Sequence, residues 1–371
     1  MRIAIVGAGI SGLTAAHRAL ELRPDADVVV FEASSRSGGA IATERTDGLI
    51  IERGPDSILS DKPAALDLVR RLGIEDEVVG TNPENRGAYV VCRGRLERIP
   101  PGFSLMAPLQ AGPFLKSPVL SWPGKARAAL DLVLPRGSNE ESLEAFVRRR
   151  FGEELYSRLA QPLVGGIYGA DPSLLSLRET MPRFVDAEAT HRSVSLGLLR
   201  EQRRAGPKSK ASGARYGLFV NFRKGMQQLT DRLEEAVGER LQLKTSVRSI
   251  RKTGGGFELV VERSGTETKE HADRVLLALP AHIAATTIEG FDGLSARLSR
   301  IPYGSAVTAT LAYRREDIPH PLDAYGFVVP TVEGRAVLAS TWLSRKWPGR
   351  APEGLELIRV FVGGVVRADA V

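Results

Sequence analysis

The 371-residue chain has one cysteine, Cys92, so no internal disulfide can form and a reducing, cytoplasmic setting is expected. No apolar run approaches the length of a membrane span. The sequence opens directly on strand-like residues, so no cleavable signal peptide is expected. The five histidines, His17, His191, His271, His282 and His320, lack metal-ligand spacing, and no metal is expected. There is neither a Gly-x-Ser-x-Gly elbow nor a Cys/His pairing for nucleophilic catalysis. Aromatics are scarce, at 6%, and do not interleave with basic residues, so nothing points to nucleic acid. No internal repeat is visible.

What is present suits a globular chain with a sizeable core: 43% hydrophobic and 26% charged residues. The length predicts two domains, one of which can be inserted in the other. A formal charge of +7, from 51 basic against 44 acidic residues, favours anionic ligands without identifying one. The basic run Arg200 to Arg204 with Lys208, Lys210 and Arg215 reads as a solvated loop ahead of a phosphate or lipid-headgroup site.

The first fifty-odd residues carry the strongest signal. An apolar run, Arg2 to Val6, leads into Gly7, Ala8, Gly9, Ile10, Ser11 and Gly12, then a helical stretch, a second apolar run Asp27 to Phe31, and Glu32. In this order the glycines serve a tight turn, close approach to a pyrophosphate, and helix–strand packing. The helix N-terminus offers N–H groups and partial positive charge to that pyrophosphate, and Glu32 stands where a ribose hydroxyl needs an acceptor. The pattern predicts a dinucleotide site. It leaves NAD and FAD open, while the Glu32 carboxylate disfavours the 2′-phosphate of NADP.

Further along, apolar spacing predicts a helix within 63–79 and a hairpin over 88–99 turning at Arg93–Gly94–Arg95. Residues 100–137 read as short apolar helical pieces. A buried helical subdomain is favoured there over a wall for a large apolar ligand or a surface dipping into a bilayer. A helical stretch from Ser142 to Leu163 is expected to end in a glycine-rich turn over 164–171, and residues 203–217 read as a polar loop. A helix through Leu229, Leu233 and Val237 precedes strands at 241–250, 257–263 and 275–279, a helical stretch at 282–298, and strands at 307–313, 325–329, 336–341 and 357–362.

Taken together, Gly7 to Gly12, Glu32–Ala33, Arg36–Ser37–Gly38–Gly39 and Glu52–Arg53–Gly54–Pro55–Asp56–Ser57 resemble the flavin-dependent amine oxidase superfamily. Within it, Gly54 to Ile58, Asn85–Arg86, Ile99–Pro100, Leu163 to Asp171, Leu276 to Pro280, and the Arg350 to Gly354 and Arg359 to Gly364 stretches are similar to the oxygen-dependent porphyrinogen oxidases of haem biosynthesis. The resemblance covers nearly the whole chain. It implies an α/β fold: a Rossmann-like, p-hydroxybenzoate-hydroxylase-like FAD domain (1–57 and 216–290), an inserted α+β substrate domain (58–99 and 291–371) and a helical subdomain (100–215) that touches membrane in some relatives.

By the same resemblance, FAD is the cofactor. Gly7 to Gly12 would hold its pyrophosphate, Glu32 and Ala33 its adenosine ribose, and Val247 the adenine through backbone. Arg36, Gly38, Gly39 and Ala40 would close over it, and Gly54, Pro55, Asp56 and Ser57 would approach the flavin. Arg86 would grip a substrate propionate, Gly166 would let a tetrapyrrole lie against the chain, and Asp56 would act beside the flavin or cap a following helix. The implied reaction is oxidation of coproporphyrinogen III or protoporphyrinogen IX with oxygen as acceptor and hydrogen peroxide as product, the Gly-Gly-Ile-Tyr stretch tilting towards the former. Rival expectations are an oxidase or desaturase of an amine or carotenoid, and a non-catalytic nucleotide-binding remnant. Relatives carry a further glycine-rich segment facing the flavin after the equivalent of Gly364, and from it a fragment or shortened product with an open flavin end is expected.

Overall fold

The computed structural model describes residues 1–60, 62–137, 140–204 and 218–364, which divide into two compact units: described residues within Met1–Gly80 and Tyr216–Pro302, and within Thr81–Arg215 and Tyr303–Val371. In the first unit, strand β1 (Arg2–Val6), helix α1 (Ile10–Leu22) and strand β2 (Asp27–Phe31) begin a parallel sheet. Strand Leu241–Gln242 pairs outside β2 and strand Arg274–Leu277 outside β1. The apolar runs of β1 and β2 lack alternation because both faces of the sheet are covered. Ile5, Val28 and Val30 enter a core with Leu13 and Ala16 of α1 and with Leu229, Leu233 and Val237 of helix Gln227–Val237. Ala4, Val6, Val29 and Phe31 face the other way, against Ile250, Leu259 and Val261 of an antiparallel meander.

That meander contains a strand absent from the sequence expectation, Thr266–Ala272. Its Thr266 to Lys269 residues are exposed and carry no apolar alternation; seven-residue pairing with Gly256–Arg263 makes it a strand. The helix expected within 63–79 stops at Arg71. Gly73 then turns with φ +67°, and Val78–Gly80 joins Phe219–Phe222 as a strand, with Ile58–Leu59 on the opposite edge. Residues 58–80 therefore lie with the nucleotide-type sheet, whereas the sequence reading assigned them to the second domain.

The second unit combines a six-stranded mixed sheet with a helical layer. Its order is Ala306–Arg314, Leu355–Gly363, Val337–Trp342, Gly326–Val328, Tyr89–Cys92, Arg95–Arg98. The expected hairpin forms, turning through Arg93 and Gly94, both at positive φ. The helical stretch, expected as a separate subdomain, shares one core with this sheet: Phe146, Phe151, Leu155, Leu159, Val164 and Phe184 pack with Val90 and, in part, Val328. The glycine-rich turn expected over 164–171 is corrected, because helix Gln161–Tyr168 runs through Gly165 and Gly166 and the chain turns only at Gly169, φ +59°. Two interior glycines cost a helix about 1 kcal/mol each; burial of Pro162 and Val164 in the same helix offsets that. The expected helical stretch 282–298 is two helices, Ala281–Thr287 and Asp292–Ser299, split by the short strand Ile288–Glu289. Most of the expected loop at 203–217 lies outside the described residues, as do Lys208, Lys210 and Arg215.

Candidate functional site

Two close approaches shape the glycine turn between β1 and α1. Gly7 sits at φ +99°, and a methyl group on Gly12 would lie 1.8 Å from the Gly7 carbonyl oxygen, so helix and strand meet there only with glycine. The helix starts at Ile10 with Gly9 in the cap position, no side-chain cap and no acidic residue in its first turn. Its first N–H groups and positive end are thus left for an anion.

Glu32, at the end of β2, is tied to this turn. One carboxylate oxygen accepts the Ala8 N–H at 2.8 Å, and the other accepts the Ser34 N–H and hydroxyl at 2.9 and 2.6 Å. Glu32 therefore fixes the glycine turn as well as offering the acceptor a ribose would use. The Thr245 N–H donates to the Glu32 carbonyl at 2.8 Å. Val247, two residues on, lies at the bulge where pairing with Gly256–Arg263 slips between Val247 and Ser249, which brings the expected adenine contact to the Glu32 end. Ala33 is exposed beside it.

A second wall grows from Gly38 and Gly39. Gly38 donates to the Ala8 carbonyl at 2.8 Å and forms an isolated parallel bridge with Gly9. The Arg36 guanidinium, expected to close over a cofactor, donates to the carbonyls of Ser37, Gly39 and Ile41 at 2.6–3.0 Å. Its role in this structure is to shape the loop. A methyl group on Gly54 would lie 1.7 Å from the Ala40 carbonyl oxygen, so the turn Gly54, Pro55, Asp56, Ser57 docks directly on this wall. The Ser57 hydroxyl donates to the Asp56 carboxylate at 2.8 Å. Asp56 caps no helix: the next one starts at Pro63 with Lys62 in the cap position.

Glu52 and Asn221, which sequence reasoning missed, hold that turn from behind. Both are buried, and Asn221 Nδ2 donates to Glu52 at 3.2 Å and to the Asp56 carbonyl at 2.7 Å. An acid at the end of a strand reads as a surface residue, and no local spacing joins positions 169 residues apart.

The two expected substrate residues belong to the second unit. Arg86 follows a short 3-10 turn, Pro83–Asn85, and is exposed. Its carbonyl accepts from Arg98 at 3.2 Å; Arg98 pairs with Asp323 at 2.9 Å, and Asp323 accepts from the Tyr89 hydroxyl at 2.7 Å. The Tyr89 hydrogen bond is the largest influence holding the Asp323 carboxyl below its ordinary range, with Arg98 adding to it against burial. The backbone at Arg86 is therefore anchored while its guanidinium makes no hydrogen bond or ion pair with another described residue. Gly166 is exposed on helix Gln161–Tyr168, with Val328 nearest to where a side chain would start. Gly165, Gly166, Gly169, Gly363, Gly364 and Leu338 line a shallow cleft, into which Gln161 brings an amide whose carbonyl accepts the Thr331 N–H at 3.0 Å. Val328 pairs with Val90, on the strand that follows Arg86 in the chain.

Among the described residues no cluster of His, Cys, Asp and Glu could hold a metal ion. No helix among them is long and apolar enough to cross a membrane.

Comparison with known proteins agrees with this fold. The family model described as flavin containing amine oxidoreductase matches residues 10–371. Coproporphyrinogen III oxidases of Bacillus subtilis and Staphylococcus aureus are 33% and 34% identical over 97% of this chain, which spans 77% and 78% of their lengths. A crystal structure of an Exiguobacterium protein assigned as a protoporphyrinogen oxidase superposes with a TM-score of 0.85 at 29% identity, covering 98% of this chain and 77% of that one.

Proposed function

Because the chain belongs to the flavin-containing amine oxidoreductase family, we propose that it oxidises a porphyrinogen to the porphyrin in haem biosynthesis, with FAD as cofactor and oxygen as acceptor. Coproporphyrinogen III is favoured as substrate, since relatives of that name reach 33–34% identity over nearly the entire chain. The observation that carries the cofactor is the continuous cradle Gly7–Gly12, Gly38–Gly39 and Gly54, where side chains would collide with backbone at Gly12 and Gly54. A pyrophosphate fits against the helix end, a ribose hydroxyl reaches Glu32, and the Val247 backbone is set for adenine. Bound FAD supplies the acceptance of hydride from a bridging carbon.

The chain's own residues bind and orient. Arg86 pairs a propionate through two parallel hydrogen bonds, which fixes both position and direction of the ring. Gly166 admits the flat macrocycle, and Asp56 stands in the turn facing the cofactor to take a hydrogen bond or proton. Oxygen as acceptor, hydrogen peroxide as product and peripheral contact with a membrane belong to the same proposal.

The test is incubation with FAD and each porphyrinogen while porphyrin fluorescence is followed. Acceleration over autoxidation, greater for coproporphyrinogen III, is expected; no acceleration with either substrate would sink the reading.

A further inference from the structure

We infer that Glu52 is a positioning residue, which through Asn221 sets the Gly54–Ser57 turn against the flavin portion of the cofactor; the inference rests on the reading of the site as an FAD site. Glu52 is 2% exposed and Asn221 fully buried. Glu52 Oε1 accepts the Met226 N–H at 2.9 Å and Asn221 Nδ2 at 3.2 Å, and Oε2 accepts the Thr43 hydroxyl at 2.7 Å. Thr43 Oγ1 already accepts the Gln227 N–H at 3.0 Å, so its one proton is directed at Glu52. The remaining Asn221 hydrogen goes to the Asp56 carbonyl at 2.7 Å, and its Oδ1 accepts the Phe222 N–H at 2.6 Å.

Every contact made to Glu52 in this set is a donor aimed at a carboxylate. Through them one side chain joins the hairpin strand Leu49–Glu52, strand Phe219–Phe222, the start of helix Gln227–Val237 and the Asp56 carbonyl. Taking a carboxylate out of water costs several kcal/mol unless its lone pairs are met. A methyl-filled core would hold these elements together at least as well. What the carboxylate adds is direction: it orients Asn221, and Asn221 fixes the one carbonyl that sets the course of the turn. The contact path Gly9–Gly39, Ala40–Gly54 and Asp56 runs from the pyrophosphate turn to that carbonyl. Displacement at Asp56 should thus be felt by the far part of a dinucleotide and not by its ADP part, which rests on Gly7–Gly12 and Glu32.

The test compares FAD with ADP binding by titration calorimetry in the wild type, Glu52→Gln and Asn221→Ala. A glutamine at position 52 turns an amide N–H₂ towards the donors of Met226, Thr43 or Asn221, whereas Asn221→Ala removes the hydrogen bonds to Glu52, the Asp56 carbonyl and the Phe222 N–H and leaves those of Met226 and Thr43 on the carboxylate. Each variant should bind FAD at least tenfold more weakly and ADP within twofold of wild type, with the visible band of bound FAD shifted. Unchanged FAD affinity in both variants would overturn the inference alone, as would equal weakening for FAD and ADP, the mark of a merely structural role. Should Glu52→Gln fail to fold, Asn221→Ala decides by the same criteria. Wild-type protein that binds ADP and not FAD would overturn the functional reading together with this inference.

Discussion

A single methyl group tests the nucleotide turn. The Gly12→Ala side chain would start 1.8 Å from the Gly7 carbonyl, so α1 must move off β1 or the turn must open. Overpacking of this kind costs about 3 kcal/mol, and FAD affinity is expected to fall about 100-fold in a fluorescence titration; affinity within a factor of two of wild type would show that the turn does not carry the cofactor. Arg86→Ala removes a charge-assisted pair, so KM for coproporphyrinogen III should rise on the order of 10- to 100-fold, with FAD binding unchanged. An unchanged KM would remove Arg86 from the substrate site. At this scale the glycines and Glu32 were legible in the sequence because their task is local: strand, turn, helix and acid lie within thirty residues. Glu52 and Asn221 were not, since their pairing exists only after the chain returns at Phe219–Phe222.

At the level of elements, the helical layer depends on a buried ion cluster. Arg150 is fully buried; its Nε lies 3.1 Å from Asp131 and 3.3 Å from Glu188, and Nη1 donates to the carbonyls of Leu134 and Pro135. Asp131 in turn accepts the N–H groups of Val194 and Ser195 and the Ser193 hydroxyl at the start of helix Val194–Arg204. Arg150→Ala leaves two buried carboxylates without that cation and should cost about 3–5 kcal/mol, seen as a Tm lowered by roughly 10 °C. A fall of under 2 °C would contradict the cluster's importance. Glu333 ties the tip of the hairpin at 89–98 to the helices, accepting the N–H groups of Arg93 and Gly94 at 2.8 and 3.0 Å and pairing with Arg158 at 3.1 Å. Burial raises its pKa, but the two amides and Arg158 outweigh it and hold the carboxyl below its ordinary range. A lowered folded-state pKa stabilises above the unfolded value and is lost as pH falls through the folded one. Glu333→Gln should therefore cost about 1 kcal/mol in urea unfolding at neutral pH, and the gap to wild type should close in acid below the carboxylate range. A gap that persists there would refute the charge argument.

Elements with a continuous apolar run, such as β1 and β2, or with apolar periodicity, such as α1, the hairpin at 89–98 and helix Gln227–Val237, could be read directly. The polar strand Thr266–Ala272 could not, because its pairing and not its pattern defines it. Helix Gln161–Tyr168 was cut short for the opposite reason: glycine propensity argued for a turn, and core packing prevailed.

For the whole molecule, the nucleotide-type unit follows from its first fifty residues, which dictate a parallel sheet covered on both faces, and the later segments return to the same sheet at Leu241–Gln242 and Arg274–Leu277. Where one unit ends was less legible. Residues 58–80 are amphipathic in a way that suits either unit, and only the pairing of Ile58–Leu59 and Val78–Gly80 with Phe219–Phe222 assigns them. Arg86 and Gly166, proposed to meet the substrate, belong to the unit whose sheet draws its strands from positions 89–98 and 306–363, a separation that no local pattern bridges.

The central claim, that FAD held by this chain takes electrons from a porphyrinogen, is tested most directly by mixing FAD-loaded protein with coproporphyrinogen III in the absence of oxygen and recording the visible spectrum. The flavin band should bleach as a first electron pair is taken from the porphyrinogen, and on admission of oxygen it should return while porphyrin bands rise. A flavin band that stays oxidised while coproporphyrinogen III remains unconverted would contradict the account.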